Sequence, residues 1–271
     1  MTAEAGAEPP EVDEADFYRR WRTSKPPFRP APELVAQYRE LLPETDDLVL
    51  LLGVTPELAV LRRHVLAVDA SPGMIAQVWP GDTADRKAVL GDWRKIPAEP
   101  GTVAAVMADG SLNGLFYPDD QRTLFDQLRR MLRPGGRGIF RMIVPVEPQE
   151  SIAALADEAM GGSLSFHGFK LRFGPAVAAE AGTPVVTCGQ VIERFDRLFP
   201  DREPLSRASG WSLETIAEMD AYRAVAATTI SFPSRSQLAA LPAAWAKSVR
   251  FVETHGYPCA EWCPLLVVDA P

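Results

Sequence analysis

Residues 48–75, LVLLLGVTPELAVLRRHVLAVDASPGMI, decide the fold of this chain. Two apolar runs, 48–52 and 65–68, are typical of strands that are buried on both faces. Thr55 and Pro56 predict the start of a helix between them, with threonine as the N-cap and proline in the first helical position. A strand, a helix and a second strand in this order predict the first half of a parallel α/β sheet.

The same alternation continues along the chain. Further strands are predicted over 88–90, 103–107, 138–144, 246–256 and 262–269. Helices are predicted over 32–42 and 119–132, and the second ends at Arg-Pro-Gly-Gly, a clear helix stop. Parallel strands that are joined by helices form an open sheet with right-handed crossovers and helices on both faces.

The composition argues against several classes of protein. A formal net charge of −8 over 271 residues opposes a broad nucleic-acid surface, which needs clustered Lys and Arg. No apolar run approaches the roughly 20 residues that cross a bilayer, and the acidic N-terminus has no secretory signal. Three cysteines, an odd number, favour a reduced, cytoplasmic setting. Cys259 and Cys263 have no histidine in a compact ligand pattern, so no metal site is predicted.

Asp69 ends the second predicted strand and is the first candidate site residue. In open α/β sheets, ligands lie outside the carboxyl ends of the strands. A carboxylate about sixteen positions after the first turn is well placed to accept hydrogen bonds from ribose hydroxyls. The alternative is a cap for the helix that opens at Ser71 and Pro72. The ribose role is the favoured interpretation.

Five segments between residues 48 and 144 resemble, in order and spacing, the motifs of class I S-adenosylmethionine-dependent methyltransferases. They are LVLLLGVTPEL, LAVDASPGMI, LGDWRKIP, AAVMADGSLNGL and LRRMLRPGGRGIFRM. The resemblance implies a Rossmann-like methyltransferase fold of the α/β class. This fold has a seven-stranded, mostly parallel sheet with an antiparallel last strand, helices on both faces and a helical cap insertion. It also implies S-adenosyl-L-methionine as the cofactor.

The resemblance further implies which residues bind the cofactor. Asp69 would bind the ribose, Asp92 would accept a hydrogen bond from the adenine amino group, and Gly53 would approach the methionine end. The full implied set is Gly53, Val54, Thr55, Glu57, Asp69, Ala70, Met74, Gly91, Asp92, Trp93, Asp109, Gly110 and Ser111. Each role is chemically sensible, because carboxylates accept from hydroxyls and amines and methionine packs on flat rings.

One motif departs from the family pattern, in which an acidic residue stands two positions before the first of several alternating glycines. Here Leu51, Gly53, Thr55 and Glu57 hold those positions. Thr55 offers a hydroxyl to the methionine carboxylate, and Glu57 would replace the missing acid by pairing with the ammonium. A catalytically inactive, methyltransferase-like protein that binds the cofactor or a protein partner is therefore the alternative. A nicotinamide dehydrogenase is disfavoured, since Pro56 removes a backbone amide that a pyrophosphate would need.

The residues that are predicted to bind the methyl acceptor lie in segments with a less regular sequence pattern. His167 lies in the aromatic, glycine-containing segment 161–173, which is predicted to form a wall of the substrate pocket. It is the candidate catalytic base, although a lone histidine near aromatic rings is more often packed than catalytic. Asn113 and Tyr117 are predicted to face the acceptor. The apolar and aromatic content of this region favours a small-molecule acceptor over a polymer, and no nucleic-acid or membrane partner is expected. Homodimer formation stays open.

The domain organisation follows from these assignments. Residues 1–13 are acidic and rich in Pro and Ala, which predicts a disordered tail. Residues 14–145 and 246–271 are predicted to form the cofactor-binding core, and 146–245 the substrate cap. A helix over 14–24 would carry Tyr18 and Trp21 on one face. Packing on the core is the favoured role of that face, and a lid with both rings over the substrate is the alternative.

Overall fold

The computed structural model describes residues 24–271. The predictions for the tail 1–13, for the helix over 14–24 and for Tyr18 and Trp21 lie outside the described residues. Within 24–271, no helix is long and apolar enough to span a membrane.

A seven-stranded sheet is the centre of the molecule. Its strands are β1 (Leu48–Leu52), β2 (Val65–Asp69), β3 (Arg86–Leu90), β4 (Val103–Asp109), β5 (Leu132–Arg141), β8 (Ser248–Val252) and β9 (Leu265–Asp269). They lie in the order β3-β2-β1-β4-β5-β9-β8. Pairing is parallel from β3 to β5, and β9 runs antiparallel to both of its neighbours. The fold class predicted from the sequence is confirmed.

Helices cover both faces of this sheet. They are α1 (Pro32–Leu41), α2 (Pro56–Ala59), α3 (Pro72–Val78), α4 (Asp119–Met131) and α11 (Arg235–Ala240). Alternate residues of β1 point to opposite faces, so Leu51 packs in one core layer with Tyr38 of α1. Leu50 packs in the other layer with Phe125 of α4. Because both faces are covered, the central strands consist of continuous apolar runs.

A second group of elements lies between β5 and β8. It comprises the helices α5 (Ile152–Met160), α6 (Phe166–Glu180), α7 (Cys188–Leu198), α8 (Arg202–Ser209), α9 (Leu213–Ala217) and α10 (Ala221–Ala224). The strands β6 (Val185–Thr187) and β7 (Thr229–Ser231), which were not predicted, form a two-stranded antiparallel sheet. Phe169, Phe173 and Phe195 are fully buried in a hydrophobic core of this group. We call these elements, residues 152–231, the cap.

Local details differ from the sequence-based predictions. The helix after β1 has only four residues, because Val60 already leaves the helical conformation. Arg-Pro-Gly-Gly does end α4, but the chain continues directly as the first part of β5, with a shift of register against β4. Segment 161–173 was predicted to be a pocket wall. Residues 166–173 form the start of α6, and Phe169 and Phe173 stack on each other inside the cap, while a pocket-wall role for the segment stays a prediction.

Candidate functional site

Gly53 leaves β1 with a φ of 101°, a backbone conformation that glycine adopts without steric cost. A Cβ atom at this position would lie 3.3 Å from Ser111 Oγ and 4.0 Å from Asp69 Oδ2. The carboxyl ends of β1, β2 and β4 therefore converge on the Gly53 backbone. Three residues that were predicted from separate motifs are thus brought together in space.

Asp69 is held at this point by the start of α3. Its Oδ1 accepts a hydrogen bond from the Ser71 backbone N–H at 2.8 Å, and Ser71 Oγ caps the helix by accepting from Met74 N–H at 3.2 Å. Asp69 Oδ1 thus makes a local contact at the start of the helix, as the alternative interpretation predicted, while Oδ2 lies toward Gly53. Burial raises the pKa of the Asp69 carboxyl above its usual 3.8.

The turn after β4 completes this edge. Gly110 adopts a left-handed conformation with φ of 70°, and its N–H donates to the Arg141 carbonyl at 3.0 Å. Ser111 Oγ donates to the Leu52 carbonyl at 2.9 Å. The end of β4 is thereby tied to the ends of β1 and β5, which fixes the position of Ser111 beside Gly53.

The end of β3 lies on the far side of β2. Trp93 Nε1 donates to the Val68 carbonyl at 2.6 Å, and Gly91 N–H donates to the Asp69 carbonyl at 2.9 Å. The Asp92 carboxylate binds the side chain and the backbone N–H of Arg94, and this contact lowers the pKa of Asp92. Asp92 is therefore already engaged, and its contact with an adenine amino group stays a prediction.

Asp109, at the end of β4, forms an ion pair with Arg141 at the end of β5. Both side chains are only 5% exposed. Burial raises the pKa of the Asp109 carboxyl, and the positive charge of Arg141 opposes that shift. Tyr38 donates from its hydroxyl to the Ala108 carbonyl at 2.6 Å and accepts from Arg141 N–H at 3.0 Å. Tyr38 thus joins α1 to the ends of β4 and β5, and cofactor binding by Asp109 stays a prediction.

Residues 25–29 contact this edge of the sheet. Pro27 accepts a hydrogen bond through its carbonyl from Arg141 Nη1 at 2.8 Å. Arg29 Nε donates to Glu57 Oε1 at 2.8 Å. The sequence did not predict these contacts of Arg29 and Arg141. The signal for Arg141 is a charge within the apolar strand sequence IFRM, because a buried arginine requires a partner.

Two predicted residues of the methionine end lie in the turn between β1 and α2. Val54 and Thr55 are 1% and 6% exposed. Thr55 occupies the N-cap position, but its side chain makes no capping hydrogen bond. Glu57 is more exposed, at 26% of its side chain. The turn therefore presents Glu57, more than Thr55, to the edge of the sheet.

His167 lies in the first turn of α6. Its ring contacts Phe28 edge-on with centroids 6.0 Å apart, and Nε2 is 3.9 Å from Glu218 Oε2. Burial lowers the pKa of His167 below 6.5, against the opposing effect of Glu218. Burial therefore favours the neutral form of the ring, and the role of His167 as a base stays a prediction.

Asn113 has a different role from the predicted contact with an acceptor. Its Nδ2 donates to the carbonyls of Ile143 at 2.9 Å and of Ser231 at 2.7 Å. Its Oδ1 accepts from Ile143 N–H at 2.9 Å. Both amide protons are used, and the side chain is buried, so Asn113 connects the sheet to β7 of the cap. Tyr117 follows this joint and lines a cavity of about 540 Å³.

A larger cavity of about 870 Å³ lies beside the joint. Its walls come from the chain after β5, the end of α6, the start of α11 and the residues that follow β8. The lining includes Val146, Pro175, Ala179, Phe232, Arg235 and Glu253. β5 and β8 both run antiparallel to β9, so their carboxyl ends share one edge with those of β1, β2 and β4. Neither this cavity nor the smaller one is lined by Gly53 or Asp69.

Within residues 24–271, no cluster of three or more His, Cys, Asp or Glu side chains could hold a metal ion.

A family model described as a methyltransferase domain matches residues 53–140. The match begins at Gly53, includes the ends of β2, β3 and β4, and stops within β5. It confirms the resemblance to methyltransferases that the sequence motifs indicated. No curated protein matches the chain.

Solved structures share the whole architecture at low sequence identity. The N-methyltransferase NodS from Bradyrhizobium japonicum, in complex with S-adenosyl-L-homocysteine, is 13% identical, with a TM-score of 0.51 over 95% of this chain and 98% of that one. A protein from Pyrococcus horikoshii is 14% identical, with a TM-score of 0.50 over 94% and 99%. A protein from Rhodobacter sphaeroides described as a putative Zn-dependent alcohol dehydrogenase is 15% identical, with a TM-score of 0.50 over 90% and 91%. At these identities the likeness shows the fold alone.

Proposed function

We propose that this chain, whose residues 53–140 match a methyltransferase domain, is an S-adenosylmethionine-dependent enzyme that methylates a small molecule. The observation that carries the proposal is the convergence of Gly53, Asp69 and Ser111. A side chain at position 53 would fill the space between the other two. Because glycine has no side chain, a nucleoside can approach the backbone closely here, with a carboxylate and a hydroxyl beside it.

The residues along this edge fit the parts of the cofactor. Neighbouring strands lie roughly 4.8 Å apart, so the ends of β3, β2, β1 and β4 span roughly 14 Å. Asp69 would accept hydrogen bonds from the ribose, with Met74 and Trp93 beside the adenine. When bound, the cofactor supplies a methyl group on a positively charged sulfur.

The larger cavity supports a small-molecule acceptor. Its volume of about 870 Å³ is within the usual range for small-molecule sites, and its lining mixes apolar with charged groups. Its position beyond β5 and β8, on the β4 side of the sheet, supports an acceptor site beside the proposed cofactor site. Methyl transfer needs mainly in-line positioning of the acceptor. His167 is proposed to take up the acceptor's proton, where one must be removed.

Calorimetric titration with S-adenosylmethionine and S-adenosylhomocysteine tests the proposal. We expect both to bind, and product inhibition to appear in transfer assays with a radiolabelled methyl group. Candidate acceptors are small amines, phenols and carboxylic acids that fit the larger cavity. Absence of binding at millimolar concentration would contradict the proposal. Tight binding without transfer to any of these classes would favour the inactive, cofactor-binding alternative.

A further inference from the structure

We infer that the acceptor is an elongated molecule with a basic amine at one end and an uncharged, apolar group at the other. The inference rests on the proposed function, because it names the substrate class of the proposed acceptor site. It uses both cavities. The larger cavity would hold the amine, and the smaller one, of about 540 Å³, would hold the apolar group.

The two cavities adjoin each other. Thr183, Pro184 and Gln237 line both of them. Hydrogen bonds fix these shared residues, since Phe232 N–H donates to the Pro184 carbonyl at 2.6 Å. Gln237 Oε1 accepts from Ser234 N–H at 2.8 Å at the start of α11. Each cavity by itself has the volume of a small-molecule site, so a ligand that extends past the shared residues can occupy both.

The larger cavity carries an excess of negative charge. Its charged lining residues are Glu147, Arg235, Glu253 and Glu261. Both oxygens of the Glu253 carboxylate accept from Arg235, with Nη2 and Oε2 2.9 Å apart, so these two charges offset each other. Glu147 and Glu261 are exposed and form no hydrogen bond or ion pair with another residue of the range 24–271. Two carboxylates without a counter-charge attract a cation.

The smaller cavity has a different character. Among the described residues, the side chains that line it are all uncharged, and they include Phe116, Tyr117 and Val185. Phe116 is 42% exposed and belongs to none of the three hydrophobic clusters in the described part of the chain. Its ring is therefore available to a ligand, and an apolar group that packs against it is removed from water.

The contrast between the cavities determines the class of ligand. A ligand with a charge at both ends would place one charge in the uncharged cavity, where its desolvation is costly. A short amine would fill the larger cavity only and would leave the ring of Phe116 in water. An amine that is joined by a chain to an apolar group matches both cavities.

Phenylalkylamines of increasing chain length, from phenylbutylamine to phenyloctylamine, test this inference. Each is compared with the alkylamine of the same chain, which lacks the ring, and with the phenylalkanol, which lacks the charge. In calorimetric titrations with S-adenosylhomocysteine present, we expect the best-fitting phenylalkylamine to bind at least about tenfold more tightly than either comparison compound. A gain below about tenfold from the ring or from the amine at every chain length would overturn the inference.

Two sets of variants assign each group to its cavity. Phe116→Ala should weaken the phenylalkylamine by about fivefold to tenfold and leave the alkylamine within about twofold. Glu147→Gln combined with Glu261→Gln should weaken both amines by about threefold to tenfold and leave the phenylalkanol within about twofold. Equal losses for the two amines in the first variant, or for amine and alkanol in the second, would contradict the assignment.

Leu213→Ala and Glu214→Gln are the matched controls, because both residues are exposed in the cap and lie outside both cavities. They should leave all affinities unchanged, and thermal unfolding checks that each variant is folded. Titration with S-adenosylhomocysteine alone separates this inference from the proposed function. If it binds and the probes lack the expected pattern, only the substrate class fails. If it does not bind at millimolar concentration, the proposed function itself fails.

Discussion

The two halves of the sheet's carboxyl edge are built in different ways. The half that is proposed to bind the cofactor lies at the ends of β1, β2 and β4, and we call it the cofactor half. It brings together Gly53, Asp69 and Ser111, which lie within about 60 residues of sequence. The cap half, at the ends of β5 and β8, assembles the larger cavity from residues between Pro145 and Glu261. The cofactor half depends on backbone turns and local capping, and the cap half depends on long-range packing.

This difference determines how much the sequence of each half can predict about its ligand. A turn at a strand end fixes a few atoms whatever surrounds it, so its ligand chemistry can be inferred from a short motif. The walls of the cavity come from segments that meet only in the folded chain, so the acceptor class depends on the cap. The two halves should accordingly respond to different substitutions.

The largest effect is expected from Gly53→Ala. The added methyl would lie 3.3 Å from Ser111 Oγ, and we expect the affinity for S-adenosylhomocysteine to fall by about a hundredfold, or roughly 2.7 kcal/mol. Gly81→Ala is the control, since Gly81 has a φ of 98° with no atom within 4 Å of the added Cβ. Both variants carry similar backbone strain. If calorimetry shows an equal loss for both, Gly53 does not approach the ligand.

A smaller loss of affinity is expected from Asp69→Asn. An amide still accepts from Ser71 N–H but has lost the charge that favours the ribose hydroxyls, so we expect a tenfold to hundredfold loss, or about 1.4–2.7 kcal/mol. Asp92→Asn should cost less than about tenfold, because Arg94 already binds that carboxylate. If calorimetry shows a larger loss of affinity for Asp92→Asn than for Asp69→Asn, Asp69 is not the ribose contact.

Asn113→Ala tests the joint between the halves. It removes hydrogen bonds to Ile143 and Ser231 and leaves buried backbone groups unpaired, so the free energy of unfolding should fall by about 2–4 kcal/mol. Gln190→Ala, which removes an exposed capping-box contact with Thr187, should cost about 1 kcal/mol or less. Urea denaturation measures both. Equal stability losses would mean that Asn113 does not hold the cap to the sheet.

The smallest effect on the cofactor half is expected from Ala179→Trp. Ala179 lines the larger cavity, so tryptophan should occupy acceptor space and leave the affinity for S-adenosylhomocysteine within about twofold. Ala221→Trp, at an exposed position of α10 outside both cavities, is the control. A tenfold loss of cofactor affinity in Ala179→Trp alone would show that the two halves are one pocket.

Most of the fold could be predicted because local sequence patterns indicate its strands and helices. The apolar runs of β1, β2 and β4 reflect burial on both faces, and the apolar spacing of α4 reflects one buried side. Asp69 could be found for the same reason, since the end of a buried strand is a position with a known geometric meaning.

The remaining features depend on distant contacts. Arg29 meets Glu57 across 28 positions, and Arg141 meets Pro27 across 114. The sequence predicted that Asn113 faces an acceptor. Its contact with Ser231 could not be predicted, because no local pattern indicates a partner 118 positions away. The helix that begins at Phe166 was not predicted, since aromatic residues around glycines fit a pocket wall and a packed helix equally well.

The central claim is that the cofactor half of the sheet's carboxyl edge binds the methyl donor and the cap half binds the acceptor. A crystal structure of the protein with S-adenosylhomocysteine tests it most directly. We predict the ribose hydroxyls at about 3 Å from the Asp69 carboxylate, the amino-acid end beside Glu57, and the sulfur directed toward the larger cavity. S-adenosylhomocysteine bound inside that cavity, with its ribose away from Asp69, would contradict the account.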